Sequence, residues 1–121
     1  MAQAQTVGNQ LIDRLNEGFF NNTANELAIA SLRREANALL KVEPAEGYTV
    51  LGAIECMCGN TKLMIENHER ARRIAPNDAF VLSNYASSLA ISWMFNEQCD
   101  LLNEMIEKRI DYAESLAKLT F

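Results

Sequence analysis

Three cysteines and a single histidine, Cys56, Cys58, Cys99 and His68, are the residues of this chain with the widest chemical range. Thiolates and an imidazole gathered at one point would make a tetrahedral zinc site. The spacing opposes it, because side chains two apart on a helix point about 200° from each other, and Cys56 and Cys58 cannot chelate one ion from a regular turn. Cysteines in helices serve more simply as small buried hydrophobes, and an odd number of thiols fits a reducing compartment better than a disulfide framework. No metal and no cofactor is therefore expected.

Catalytic arrangements find as little support. Glu66 and Glu69 lie three apart, the separation of two carboxylates on one helical face, but in a run this rich in charge the pair reads as a solvated surface. The sequence holds no glycine-framed nucleophile, no phosphate-cradling glycine loop and no helix with two histidines. The basic run His68-Glu69-Arg70-Ala71-Arg72-Arg73 falls near a helix C-terminus, where the helix dipole favours cations. A net charge of -5 argues against general nucleic-acid binding, which needs a basic face to displace counterions. The expectation is a protein without enzymatic activity that does not bind nucleic acid.

The elements that carry these residues are helical throughout. Val7, Leu11, Ile12, Leu15 and Phe19 follow helical spacing up to Gly18 and the Asn21-Asn22 turn. Thr23-Ala24-Asn25-Glu26 has the form of a capping box and opens a helix from about Ala24 to about Lys41. Tyr48, Leu51 and Ile54 form the stripe of a third helix, in which Gly52 implies close approach by another backbone. Gly59-Asn60 can end that helix with a positive φ and cap the next. Leu63, Met64, Asn67, Ala71 and Ile74 then share a face, and Pro76 stops the helix. Asn77 or Asp78 opens a fifth helix bearing Val81, Leu82, Tyr85, Leu89 and Trp93, and Asn96 caps the last. From about Glu97 to about Leu119 no glycine or proline intervenes, and Leu101, Leu102, Met105, Ile106, Ile110, Ala113, Leu116 and Ala117 recur at coiled-coil-like spacing.

The stretch from Tyr48 to Ala79 resembles a tetratricopeptide repeat. With Pro76 on the family's near-terminal proline, Tyr48 matches its large aromatic, Leu51-Gly52 its Leu-Gly pair, Gly59 its turn glycine and Ala71 its late small residue. Glu55, Met64 and His68 depart from it, standing where the family carries an aromatic, a small residue and a second aromatic. Leu39-Leu40-Lys41-Val42-Glu43-Pro44 ends its helix as Arg73-Ile74-Ala75-Pro76 does, about one repeat earlier. The resemblance implies an all-α solenoid of about three antiparallel helix-turn-helix hairpins with a long C-terminal helix. It forms one domain over 1–121, with repeats at about 5–44, 45–78 and 79–121.

The resemblance also implies a role: binding a peptide or amphipathic helix of another protein in a concave groove lined by the first helix of each pair. On the register of Pro76 the groove positions are Thr49, Ala53, Cys56 and Met57, then Phe80, Ser83, Asn84, Ser87 and Ile91. Ser83-Asn84-Tyr85-Ala86 resembles the helix that carries one asparagine of the carboxylate clamp in co-chaperones of this family. Leu15 and Phe19 occupy its basic positions, so an apolar or amphipathic client is expected. In size, acidity and repeat number the chain is also similar to type III secretion chaperones. The alternative role is a structural homodimer or higher oligomer joined through the terminal helix at Leu102, Met105, Ile106, Ile110 and Ala113.

At 121 residues, 49% of them apolar, the chain can bury about two thirds of its unfolded surface in one core. Its apolar runs fall far short of the ~20 residues that span a bilayer, and its opening residues do not read as a secretory leader. No membrane insertion and a cytoplasmic location are expected.

Overall fold

The structure is a computed structural model, and it describes residues 6–22 and 25–110. These residues form helices and turns, with no strand among them. The helices are α1 (Val7–Phe20), α2 (Glu26–Leu39), α3 (Pro44–Met57), α4 (Thr61–Ile74), α5 (Ala79–Ile91) and α6 (Phe95–Glu107). No described helix is long and apolar enough to cross a membrane.

The starts of the helices follow local chemistry. Thr6 caps α1 by accepting from the amide of Asn9, Asn25 caps α2 by accepting from Ala28, and Asp78 caps α5 by accepting from Val81. The α2 cap is thus Asn25, two residues after the expected Thr23, which lies outside the described residues. Pro44 opens α3 instead of ending α2, which stops at Leu39: the ring's fixed φ suits the first helical turn, where an amide has no partner to lose. Asn96 does not cap α6. Met94 holds that position, and Asn96 lies within the first turn.

The ends of α3, α5 and α6 share one device. At the close of α3, the amide of Gly59 donates to the carbonyl of Cys56 and that of Asn60 to Glu55. At the close of α5, Trp93 donates to Ala90 and Met94 to Leu89; at the close of α6, Arg109 donates to Ile106 and Ile110 to Met105. Each is a Schellman closure with its pivot in the left-handed region: Gly59 at φ 80°, Trp93 at 63° and Arg109 at 55°. The third closure corrects the expected long terminal helix, since α6 ends at Glu107 without a glycine or proline. Trp93 likewise belongs to the turn and not to the stripe of α5.

Packing centres on α3 and α5. The α3 backbone lies against α1, α2, α4 and α5, and the α5 backbone against α3, α4 and α6. Their sequences account for this. PAEGYTVLGAIECM offers few charges and AFVLSNYASSLAI none, so both helices lack a solvated face and are enclosed by neighbours. Leu11, Ile12 and Leu15 of α1 and Leu32, Ala36 and Leu39 of α2 meet Val50, Ala53 and Ile54 in one cluster. Met64 and Ala71 of α4, Val81, Leu82, Tyr85 and Leu89 of α5, and Leu101 and Met105 of α6 form the other, together with Cys56. The inner face of α4 is Met64, His68 and Ala71, whereas Leu63 and Ile74, expected on that face, are exposed.

Candidate functional site

Of the nine positions expected to line a groove, five are enclosed. Thr49, Ala53, Cys56, Ser83 and Asn84 are buried, Met57, Phe80 and Ser87 are half-buried, and Ile91 is exposed. Their polar groups are already used. Thr49 Oγ1 donates to the Ala45 carbonyl at 2.8 Å, and Asn84 Nδ2 donates to the Phe80 carbonyl at 2.8 Å. Asn84 is therefore spent on its own helix instead of being presented as a clamp residue. Phe80 reaches the start of α1, where a β-carbon on Gly8 would come within 3.0 Å of its Cζ. The open part of the face is Met57, Ser87 and Ile91 with the outer edge of Phe80.

Past Ile91 the chain forms an aromatic projection. Trp93 is 81% exposed, packs edge-on against Phe95 with ring centroids 5.7 Å apart, and follows Ile91 by two residues. Phe95 and Ile91 are themselves about half exposed. The position of Trp93 is costly twice over. A bulky side chain takes a left-handed backbone that glycine holds in the equivalent α3–α4 turn, and a large apolar surface stays in water. Sequence spacing placed Trp93 on the α5 stripe and so missed this feature; the positive φ that reveals it leaves no trace in composition.

The departures from the repeat pattern have structural roles. Glu55 is only 5% exposed, and its Oε1 accepts from Arg33 Nη2 of α2 at 2.6 Å, with Asn60 Nδ2 at 3.4 Å. That carboxylate holds the Arg33 guanidinium above its usual pKa. His68 is fully buried, and its ring stacks on Tyr85 of α5 at 4.9 Å and 9°. Its Nε2 lies 2.8 Å from Ser88 Oγ. Burial lowers the imidazole pKa to about 3, so the ring is neutral. Burial, with the Glu69 carboxylate beside it, raises the Tyr85 phenol well above its ordinary value.

The thiols are dispersed. Cys56 Sγ is enclosed against the Ser88 carbonyl at 3.5 Å and Ser92 Oγ at 3.7 Å, Cys58 is exposed 3.6 Å from Arg33 Nη2, and Cys99 is exposed on α6. No group of three His, Cys, Asp or Glu side chains able to hold a metal ion occurs among the described residues.

Two modest concavities mark the surface. One of about 240 Å³ between α4, α5 and α6 is lined by Arg72, Tyr85, Leu89, Glu97, Asp100 and Glu104. Arg72 is paired there with Glu104, which also accepts from Lys108 Nζ at 3.1 Å. Another of about 370 Å³, between α1 and α2, is lined by Arg14, Leu15, Asn21, Ser31 and Leu32.

Of the terminal-helix positions, Met105 and Ile110 are buried, Leu102 is half-buried and Ile106 is half exposed. Ala113 lies outside the described residues. Met105 and Ile110 therefore cannot form a free contact surface, because both are inserted in the chain's own core. No protein-family model, curated protein or solved structure matches the chain.

Proposed function

We propose that this chain is a protein-interaction module, a tetratricopeptide-like solenoid of three helix pairs that holds an apolar peptide or amphipathic helix of another protein. Three features support the repeat. Gly59 and Trp93 play the same part in successive turns 34 residues apart, α2 and α4 each back onto the first helix of the next pair, and the first helices α1, α3 and α5 lie side by side.

The observation that carries the binding role is the exposed set Ile91, Trp93 and Phe95. A tryptophan held in water on a left-handed backbone costs the free protein stability and has the composition of an interface hot spot. Met57, Ser87 and the edge of Phe80 extend that surface along the open face. Residues buried beneath them act by shaping it.

The test is site-specific photo-cross-linking in an extract of the source cell, from position 87 on the open face and from Arg70 on the outer surface of α4. A product formed only from position 87, and lost in the Ile91→Asp variant, is the expected result. Identical products from both positions would overturn the reading.

Self-association is the second reading, favoured by one observation. Phe95, Leu102 and Ile106 leave an apolar stripe along α6. A stable dimer in light scattering, dissociated by Ile106→Asp, would establish it.

A further inference from the structure

The open face changes chemistry along its length. On α3, Glu46, Ala53 and Met57 stand at i, i+7 and i+11, and on α5 Phe80, Ser87 and Ile91 repeat those intervals, so each set shares one helical face. Contacts at both ends hold the two sets in register. A β-carbon on Gly8 would lie 3.2 Å from Cβ of Glu46 and 3.0 Å from Cζ of Phe80, which places these two side chains together at the starts of their helices. At the other end, Cys56 Sγ of α3 reaches the Ser88 carbonyl and Ser92 Oγ of α5. Met57 and Ile91 therefore share that end. The eleven-residue interval separates the two ends by about 16 Å.

The Met57 and Ile91 end is apolar, and Ala53 and Ser87 between the ends are small. The first end carries a carboxylate. Glu46 is half-buried, and its Oε1 accepts the amide of Gly8 in the first turn of α1 at 3.1 Å. Glu46 itself stands in the first turn of α3, so two helix N-termini meet its carboxylate, and their dipoles favour a negative charge there.

These contacts fix the side chain without supplying a countercharge. Glu35, Glu55, Glu69 and Glu104 each pair with an arginine, whereas Glu46 forms no ion pair among the described residues. The ring of Phe80 beside it is a second group that attracts a cation.

We propose that the partner held on the open face sets a lysine or arginine against Glu46 and Phe80 and an apolar side chain against Met57 and Ile91. The inference rests on the open face being the binding surface, and it adds the charge and the direction of what binds there. The separation of the ends fixes the partner's spacing: its cation stands about 11 residues from the apolar anchor in a helix, or about 5 in an extended segment. A net charge of -5 on this chain attracts a basic segment from a distance.

The experiment is selection of peptides of about 16 residues from a random phage-displayed library on the full chain, followed by fluorescence anisotropy of those selected. Lysine or arginine should recur at one of the two spacings from an apolar residue. Replacing that cation by glutamine should weaken binding about fivefold, Glu46→Gln should do the same, and both together should cost no more than either alone. Glutamine can still accept the Gly8 amide, so the variant removes the charge and keeps the contact. Peptides without a recurrent cation, or with affinity unchanged by Glu46→Gln, would overturn the proposal while Ile91→Asp still abolishes their binding. Peptides indifferent to Ile91→Asp, or a selection that yields none, would overturn the open-face reading and this inference with it.

Discussion

The ring of His68 fills the space that a β-carbon on residue 52 would take: such an atom would lie 2.7 Å from both Cδ2 and Nε2 of the imidazole. Gly52 is a site of close approach, as its place within an apolar stripe implies, but what approaches is a side chain of α4 and not a backbone. The His68 ring is clamped between that glycine on α3 and Tyr85 on α5, so one residue joins three helices.

Gly52→Ala should therefore destabilise the protein. Alanine favours a helix by about 1 kcal/mol over glycine, but displacing a fully buried ring costs about 1–3 kcal/mol. The Tyr85 stack and the Ser88 contact hold that ring in place, so the expected net loss is up to about 2 kcal/mol in urea unfolding. The same change made in a His68→Ala background should be close to neutral or stabilising. Equal effects in both backgrounds would show that the two residues do not couple.

His68 also links stability to pH. Its folded pKa of about 3 lies below the ordinary value of 6.5, so below pH 6.5 the unfolded chain binds a proton that the folded chain refuses. The stabilisation from a neutral ring is complete above pH 6.5 and falls by about 1.4 kcal/mol for each unit between 6.5 and about 3. His68→Gln should lose this component. The gap between wild type and variant in urea midpoint should narrow or reverse from pH 7.5 to pH 5, and parallel profiles would contradict the assignment.

The two equivalent turns should respond oppositely. Gly59→Ala places a side chain on a positive φ with nothing within 4 Å to meet it, so its cost is conformational, about 1 kcal/mol. Trp93→Gly removes the same strain and should raise stability by up to about 1 kcal/mol. Thermal melts of both variants check the pair. A Trp93→Gly variant less stable than wild type would mean that the indole contributes to the fold.

The ion pair between Arg33 and Glu55 gives a fourth expectation. Arg33→Ala leaves a buried carboxylate with only the longer Asn60 contact and should cost about 2–3 kcal/mol. Arg33→Ala combined with Glu55→Leu should recover most of that loss. An unrecovered double variant would contradict the role of uncompensated charge.

What the sequence disclosed depended on whether the deciding chemistry was local. The α3–α4 turn was legible because Gly59 is the residue a left-handed closure prefers, and the start of α5 was legible to within Asn77 or Asp78 because either short polar side chain suits a helix cap. The stops of α5 and α6 were not, since Trp93 and Arg109 adopt positive φ where neither residue type announces it. The α4 inner face was misassigned at Leu63 and Ile74 because a histidine read as polar turned out to hold the core position. Of the candidate site, Met57, Phe80, Ser87 and Ile91 keep some exposure. Thr49, Ala53, Cys56, Ser83 and Asn84 are covered, since an uncharged α5 and a sparsely charged α3 are drawn inward by their neighbours.

Titration of the cross-linked partner, once purified, tests the interaction role most directly. By calorimetry, Trp93→Ala should bind it at least tenfold more weakly than wild type, while Leu63→Ala, an exposed apolar change on α4, should leave affinity within twofold. Equal affinity of the wild type and the Trp93→Ala variant would contradict the account.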